Sequence, residues 1–573
     1  MYQELQDILK EQGFGGKIYI DEERLQSYAT DESIFSVMPQ MVVVPKDEAD
    51  VQLLVQTVNR YKTEHEKGAR DLSLTVRAAG TGLSGGSLND SIIVDVANFT
   101  DLDMTREDEN QAAINAGPSV YFRNISSMAE QAGYYFPPYP SSRDICTIGG
   151  MVANNAAGPN SLRYGHTADF VDAVTMVMAD GSVHVAREIN YQQLQEIIDG
   201  QGFVADLYRQ VWQMLDEESE QIMIQRENPA SSKNTAGYNV WNVLNAESLE
   251  AFKAGEGTFS LVPVICGSQG TLGIITAVSL RVIKKPVQSP LLTIPVYDID
   301  SLGSVVETLL KHDPYNIELF DGRTFKLALR HPLFFRNFYT QVGDSSKLSW
   351  PVFSFWLYKN YFKNLKRSIP EVILMVKFDG VNQQEVNKKM NAAVQDLSRQ
   401  GINSRIVSNN TEELMYWRVR GSSYSLAKLG VENQRPAAFL EDMVVAPDQM
   451  GAFLKELKAL LSEYGVAYAL HGHGGNGHFH FYPLLDFTDK NTPEKILSMA
   501  DSFYALAKKH GGNICGEHND GIMRTPYHHL LFSPEGIALF EKLERAFDPL
   551  DIFNPGKKVN PRFDIKNSIR KTN

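Results

Sequence analysis

Cysteine is scarce in this chain: Cys146, Cys266 and Cys515 are the only three in 573 residues, far apart and with no CxxC pair. That scarcity argues against a disulfide framework, a thiolate zinc site or an iron–sulfur cluster held by the chain, so any iron–sulfur relay would sit on another chain. Positive charge is in deficit too. There are 55 Lys and Arg against 69 Asp and Glu, a net −14, which excludes nucleic acid as the main partner, because phosphate binding runs on excess cationic charge. No apolar run reaches the roughly 18 residues that would span a bilayer. The opening MYQELQDILKEQGFGG is polar and amphipathic with no secretory core, so the expected compartment is the cytoplasm. With 43% hydrophobic residues and no low-complexity tract, the length calls for two or more domains with full cores.

The pattern along the chain is mixed. QMVVVP (40–45) reads as an apolar strand, followed by Asp47 capping a helix with Val51, Leu54, Val55 and Val58 on one face. LTVRA (74–78) and SIIVDV (91–96) are strand-like and flank a glycine-dense stretch. Near 276–283, TAVSLRVI alternates, with Val278, Leu280 and Val282 facing one way. Lys284-Lys285-Pro286 marks the expected domain boundary. Beyond it, EVILMVKFDG (371–380) is a strand, and Asn382 with Glu385 suggests a capping box for a helix carrying Val386, Met390, Ala393 and Leu397, closed by Gly401. INSRIVS (402–408), AAFLEDMVVA (437–446) and VAYAL (466–470) read as further strands, with a helix from Pro447 to Glu463. Ser533-Pro534 opens a C-terminal helix. The expectation is an α+β chain with an N-terminal unit over 1–285, a second α+β unit over 286–500 and a helical C-terminal segment over 501–573.

Residues 77–86 read RAAGTGLSGG, four glycines in ten positions, which lets backbone N–H groups converge on an anion. No Gly-Lys-Ser/Thr follows, so it is not a Walker loop, and a strand rather than a helix follows, so it is not a GxGxxG dinucleotide fingerprint. SSRDICTIGGMVANNAAGPNSLRYG (141–165) and CGSQGTLGIIT (266–276) are also glycine-rich. Three such segments point to backbone packed against a large, flat, phosphorylated ligand. VVVPKDEADV (42–51), RAAGTGLSGG, TIGGMVANNAAGPNSLRYG (147–165), VMADGSV (177–183) and GSQGTLGIIT (267–276) resemble, in order and spacing, the FAD-binding domain of vanillyl-alcohol-oxidase-type flavoproteins. The resemblance implies a two-part FAD-binding domain of that type and places Arg77, Gly80, Thr81, Gly82, Ser84 and Gly85 at the FAD pyrophosphate. It also places Thr147, Gly149, Gly150, Asn154, Gly158 and Tyr164 around the pyrophosphate and flavin, with Gly270 and Ile274 on the third segment. Gln269 stands where that family usually has Glu. The 77–86 loop has no His or Cys, so FAD is expected to be held non-covalently.

HGHGGNGHFHFY (471–482) holds four histidines of the chain's 13. As a strand, its second part sets His478, His480 and Tyr482 on one face and Phe479 and Phe481 on the other. GGNICGEHNDGIMR (511–524) is a second polar cluster. Two imidazoles and a carboxylate at a pocket mouth form a sensible divalent-metal set, with hydrogen-bonded structural histidines as the bland alternative. HGHGGNGH resembles the HxGDGNxH element of FAD-dependent D-2-hydroxyacid dehydrogenases of the D-lactate and D-2-hydroxyglutarate type. GEHNDGIMR resembles their GEHGDGxxR element, and FDPLDIFNPGKKV their C-terminal FDPxxxLNPGK. That resemblance implies His471, His478 and Glu517 as ligands of a divalent metal (zinc or manganese), His518 as general base, Arg420 of WRVRG as the substrate-carboxylate arginine, and Arg524 as a second clamp. It implies a small 2-hydroxy acid as substrate and a quinone, cytochrome or electron-transfer flavoprotein as acceptor. The chain departs from the pattern at His473, Gly474 and Asn519, and at His480, where the hydroxyglutarate enzymes carry a substrate-contacting Asn. FLEDMVVAP (439–447) resembles the acidic form of the next segment.

Residues 333–367 match none of this. They carry eleven aromatics between Phe334 and Phe362, and six Lys or Arg against Asp344 alone. Two readings stand: an in-plane contact with an anionic, quinone-bearing membrane, or a cap element whose aromatics fill a core. The leading functional expectation is an FAD-dependent 2-hydroxyacid dehydrogenase. The alternatives are an oxygen-using FAD oxidase of a sugar alcohol, a metal-dependent hydrolase, and a non-catalytic flavin subunit of a larger complex.

Overall fold

A computed structural model describes all residues except 66–68, 70, 107–110, 220–221, 223–231, 332–354, 356–368, 408, 428–432 and 572–573. Near the N-terminus a four-stranded sheet runs in the order Lys17–Tyr19, Met41–Val44, Ile92–Asp95, Leu74–Arg77. Its last three strands are parallel. Parallel neighbours need a crossover, and helix Glu48–Glu64 supplies it. Asp47 accepts the backbone N–H of Asp50, and Val51, Leu54, Val55 and Val58 are buried as their spacing requires. The glycine-rich stretch therefore leaves Leu74–Arg77 at its carboxyl end, the side on which parallel sheets bind ligands.

A second, antiparallel sheet runs Leu102–Arg106, Gln111–Ala116, Ile274–Lys284, Val171–Val177, Val183–Arg187, with Tyr134–Tyr135 also on Ile274–Lys284. Val278, Leu280 and Val282 face the core from the long central strand.

A third sheet runs Arg405–Val407, Leu291–Val296, Val372–Lys377, Asn316–Asp321, Tyr468–His473, His478–Leu485, Arg435–Pro436. Helix Gln383–Arg399 buries Val386, Met390, Ala393 and Leu397. Asn382 caps it, but Glu385 reaches back to the N–H of Val381 rather than of Asn382, so the box is displaced by one residue. The strand expected over 437–446 is only partly present: Met443–Val444 pairs with His478 and Phe479, while Arg435–Pro436 pairs further along. Between them the chain turns. Asp442 accepts the backbone N–H groups of Glu517 and His518, both at 2.9 Å, and those bonds draw the segment out of strand register.

Helix Pro534–Phe547 starts on a Ser533 cap as expected. Of the aromatic and basic segment 333–367, only Phe355 is among the described residues; it is exposed. No described helix is long and apolar enough to cross a membrane.

Candidate active site

The three glycine-rich segments meet at one hollow. A cavity of about 1380 Å³ lies against a narrow arm, and Thr81, Gly82, Gly150 and Asn154 line both. Gly80 and Ser84 of the first segment, Thr147 and Gly149 of the second, and Gly270 of the third face the arm. Five other residues expected at the cofactor lie behind these walls. Arg77 turns away and donates to the carbonyl of Tyr28 at 3.3 Å. Gly85, at φ +76°, packs so closely that a Cβ would sit 2.9 Å from Phe35, and one on Gly158 would sit 2.0 Å from the carbonyl of Tyr139. Tyr164 donates its hydroxyl to Asp379. Ile274 packs in the core beside the first sheet, and its neighbour Ile275 faces the arm instead.

Gln269 ties these segments together. Its amide Nε2 donates to Ser84 Oγ at 3.2 Å and Asn154 Oδ1 at 3.1 Å, and its Oε1 accepts the N–H of Gly521 at 2.9 Å. An amide can donate and accept at once, whereas the Glu usual here could only accept. The C-terminal NPGKK adds a second clamp: Asn554 donates to the carbonyls of Gly86 and Gln269, Lys557 to that of Leu88, and Lys558 pairs with Asp520 at 2.6 Å.

The same cavity reaches Arg420, His471, His480, Glu517 and His518. Glu517 is the hub. Its Oε2 pairs with Lys233 at 2.7 Å, and its Oε1 faces Nε2 of His480 at 3.1 Å, of His473 at 3.3 Å and of His518 at 3.5 Å. His478 Nδ1 lies 3.9 Å from Oε2. One ligand-capable atom from each of His473, His478, His480 and Glu517 lies within 4.8 Å of all the others. Of the three ligands implied at the outset, His478 and Glu517 are in that group; His471 is beside it, bonded to Ser423 at 2.6 Å and stacked on Tyr482.

His518 Nδ1 meets Glu441 Oε1 at 3.2 Å, and Arg524 donates to the same carboxylate. Arg524 is fully buried behind Glu441, so it orients the partner of His518 rather than lining the cavity. Arg420 pairs with Glu318 at 2.6 Å, and its buried Nε has no hydrogen-bond partner among the described residues.

Charge sets the protonation states. Burial opposes ionisation of Glu318, Glu441 and Glu517, but Arg420, Arg524 and Lys233 respectively, together with the neighbouring histidines, outweigh it and hold all three below the usual carboxylate range. Burial alone would depress His518; the charges of Asp442, Glu441 and Glu517 prevail and raise it to about 10. Burial lowers His480 to about 4 and drives His471 and His478 down as well. Lys233, Glu318 and the ligating geometry of His473 and His480 were not foreseen. Glu318 left one trace, a lone carboxylate in the apolar run NIELF; Lys233 left none.

Sheet order, glycine-lined cavity and buried charge together define a two-domain flavoprotein fold of the vanillyl-alcohol-oxidase type. The solved 4-ethylphenol oxidase of Gulosibacter chungangensis shares it, with a TM-score of 0.65 over 97% of this chain and 96% of that one at 14% identity, a likeness of fold alone. Residues 39–187 match the FAD binding domain family, and 285–558 the family of the C-terminal domain of FAD linked oxidases. These two domain matches together take in most of the chain and give FAD as its cofactor. It is 27% identical to a D-2-hydroxyglutarate dehydrogenase of Pseudomonas putida over 98% of this chain and 52% of that protein. It is also 25% identical to a D-lactate dehydrogenase of Archaeoglobus fulgidus over 93% and 95%. The chain spans about half the length of the D-2-hydroxyglutarate dehydrogenases it matches.

Proposed function

We propose that the protein oxidises a D-2-hydroxy acid, of the D-lactate or D-2-hydroxyglutarate type, to the 2-oxo acid. The observation that carries this reading is that the glycine-lined arm and the cavity reaching His518 and Arg420 share a wall of Thr81, Gly82, Gly150 and Asn154. FAD bound in the arm would supply the redox chemistry, as acceptor of the hydride that leaves C2.

The chain's own residues do the rest. Arg420, which lines the cavity and is held by Glu318, binds the substrate carboxylate. His518 Nε2 takes the hydroxyl proton; Glu441 fixes the ring through Nδ1, and Arg524 fixes Glu441. The donor set around Glu517 suits a divalent cation, with imidazole nitrogens and a carboxylate converging in a buried space. His478 and Glu517 at least would hold such a cation, which would supply Lewis acidity to the 2-hydroxyl and would offset the carboxylate charge that keeps His518 protonated. The expected electron acceptor is a quinone, a cytochrome or an electron-transfer flavoprotein.

The test is anaerobic: D-lactate, then D-2-hydroxyglutarate, is added to the FAD-loaded protein while the flavin's visible band is followed, with and without a chelator. Bleaching by one acid, slowed on chelation, is the expected result. A band that neither acid bleaches overturns the substrate class.

A further inference from the structure

Two buried amides tie the loop that carries Glu517 and His518 to the cofactor wall, and the backbone dictates the direction of their hydrogen bonds. The N–H of Gly521 meets the side chain of Gln269 at 2.9 Å. A backbone N–H only donates, so the atom it meets is the carbonyl oxygen Oε1, and the other end of that side chain is the amide Nε2. Nε2 lies 3.1 Å from the side chain of Asn154 and needs an acceptor there. It therefore draws Oδ1 of Asn154 toward itself and leaves Nδ2 on the far side. That Nδ2 is the atom a Cβ on Gly82 would meet, at 3.7 Å, and Gly82 and Asn154 both line the arm. A glutamate at 269 has no proton to give Asn154, whose amide would turn over and show the arm an acceptor instead.

Asn519 is fixed by the same logic. Its Oδ1 accepts the backbone N–H of Asp520 and the ammonium of Lys558, both at 2.7 Å. Its Nδ2 is then the donor, to the carbonyl of Gly267 at 2.8 Å and that of Asn154 at 3.3 Å. Asn154 ends the helix Ile148–Asn154, and a helix end leaves its last carbonyls without helical partners. Gln269 takes the carbonyl of Ala153 through its backbone N–H, at 2.8 Å, and Asn519 takes that of Asn154. Asn519 is fully buried and left-handed, at φ +66°, a conformation that glycine adopts at less cost. What asparagine adds at that position is its hydrogen bonds. His518, one residue earlier, is held from the opposite side, by Asp442 on its N–H and Glu441 on Nδ1.

We propose that Gln269 and Asn519 are positioning residues that join the cofactor to the base. Gln269 sets Asn154 with its N–H groups toward FAD, and Asn519 sets the distance of His518 from the wall that FAD packs against. They are two of the positions at which the sequence departs from the patterns it resembles, Gln for Glu and Asn for Gly. The proposal rests on the reading of FAD as hydride acceptor and His518 as base. The two amides act on different quantities. A displacement of about 1 Å at a reacting group costs on the order of 10²-fold in rate, so loss of Asn519 shows in flavin reduction. Loss of Gln269 shows in FAD affinity, because it changes which end of Asn154 meets the cofactor.

Three measurements on the full chain test it: titration of the FAD-free protein with FAD, backbone hydrogen exchange at Asp520 and Gly521 with and without FAD, and anaerobic flavin reduction by saturating D-lactate or D-2-hydroxyglutarate, also deuterated at C2. In the wild type FAD should slow exchange at both amides by about tenfold or more. Asn519→Gly keeps the backbone conformation; it should bind FAD within about threefold of the wild type but reduce it at least about tenfold more slowly, with the isotope effect undiminished. Asn519→Asp keeps the acceptor and removes only the donor, and it should slow reduction too. Gln269→Glu should weaken FAD about fivefold, the worth of one hydrogen bond. Wild-type reduction rates in both Asn519 variants, or wild-type FAD affinity in Gln269→Glu, overturn the proposal. Equal loss of FAD affinity in all three variants overturns it as well, since that is general loosening. Exchange at Asp520 and Gly521 that ignores FAD overturns the link even if no variant folds. If neither acid bleaches the wild-type flavin, the oxidation reading fails, while the titrations and the exchange still decide the clamp.

Discussion

The two ends of the cavity are built on opposite principles. The cofactor arm is made of what side chains leave out: backbone from three glycine-rich segments, joined by one amide, Gln269, and one asparagine, Asn554. The histidine end is made of side chains at high charge density: Lys233, Glu318, Arg420, Glu441, Asp442, Glu517 and Arg524, all buried. Backbone N–H groups can serve a pyrophosphate without fixing any charge in the empty site. Placing a proton and a hydroxy acid requires fixed charges, and buried charges persist only when each has its partner. The first end therefore tolerates loss of its ligand, while the second is a network that fails when one member is removed.

The largest effect is expected at the charged end. Replacing His518 with Ala should cut turnover by about 10²–10⁴-fold, the range for a lost general base, while flavin content stays at the wild-type level. Unchanged turnover would move the chemistry elsewhere and leave His518 a structural group. Lys233 comes next. Lys233→Met removes the ammonium from Glu517 and leaves a buried carboxylate among imidazoles, at a cost of about 3–5 kcal/mol in the metal-free protein. Denaturant melts with and without added zinc measure it. Metal should restore part of the loss, because the cation then neutralises Glu517; equal losses in both conditions would show that Lys233 matters for packing alone.

The same contrast explains what could be read from the sequence. Glycine is informative by type, so RAAGTGLSGG, the 147–165 stretch and GSQGTLGIIT pointed to the arm before any geometry was known. The apolar faces of Glu48–Glu64 and Gln383–Arg399 were legible from their period alone. The charged end was legible only where its residues cluster in sequence, at 471–482 and 511–524. Glu318, Lys233 and Glu441 reach it from separate segments, and nothing local shows that a lone Glu in an apolar strand will meet an Arg more than a hundred residues away. Arg524 misleads for the same reason: its partner Glu441 is what holds it behind the site. The segment 437–446 alternates like a strand, yet Asp442 bonds to the 517–518 amides and the chain turns.

A third, smaller effect separates charge that is paired from charge that is merely buried. Asp548 and Glu544 are buried as well, but there burial dominates and raises them to about 7 and about 8, since no strong cationic partner offsets it. Asp548 Oδ2 accepts the N–H of Phe553, while its Oδ1 has no hydrogen-bond partner among the described residues. For a carboxylate raised on folding, the native state binds more protons than the unfolded chain between the two pKa values. Stability therefore falls as pH rises from about 4 to 7 and stays low above that. Asp548→Asn keeps the acceptor and removes the ionisation. It should match the wild type at pH near 4 and exceed it at pH near 8 by at most about 4 kcal/mol, since each tenfold change in proton affinity is worth about 1.36 kcal/mol. Parallel stability curves for the two proteins would mean that Asp548 does not titrate between those limits.

The smallest effect tests the glycine end, and it distinguishes glycines that shape the wall from those that face the ligand. A Cβ on Gly158 would lie 2.0 Å from the carbonyl of Tyr139, whereas one on Gly82 would meet only the Asn154 amide at 3.7 Å. Gly158→Ala must push backbone apart and should lower the stability of the FAD-free protein by about 1–3 kcal/mol. Gly82→Ala has room in the empty protein and should leave that stability within about 0.5 kcal/mol. Its methyl instead enters the space lined by Thr81 and Asn154, so FAD affinity should fall about tenfold, or about 1.4 kcal/mol. Titration of the FAD-free variants with the cofactor, beside their melts without it, separates the two. If Gly82→Ala bound FAD as the wild type does, that stretch of the first glycine loop would be wall rather than contact, and the anion cradle would have to be sought at Gly149 and Gly150.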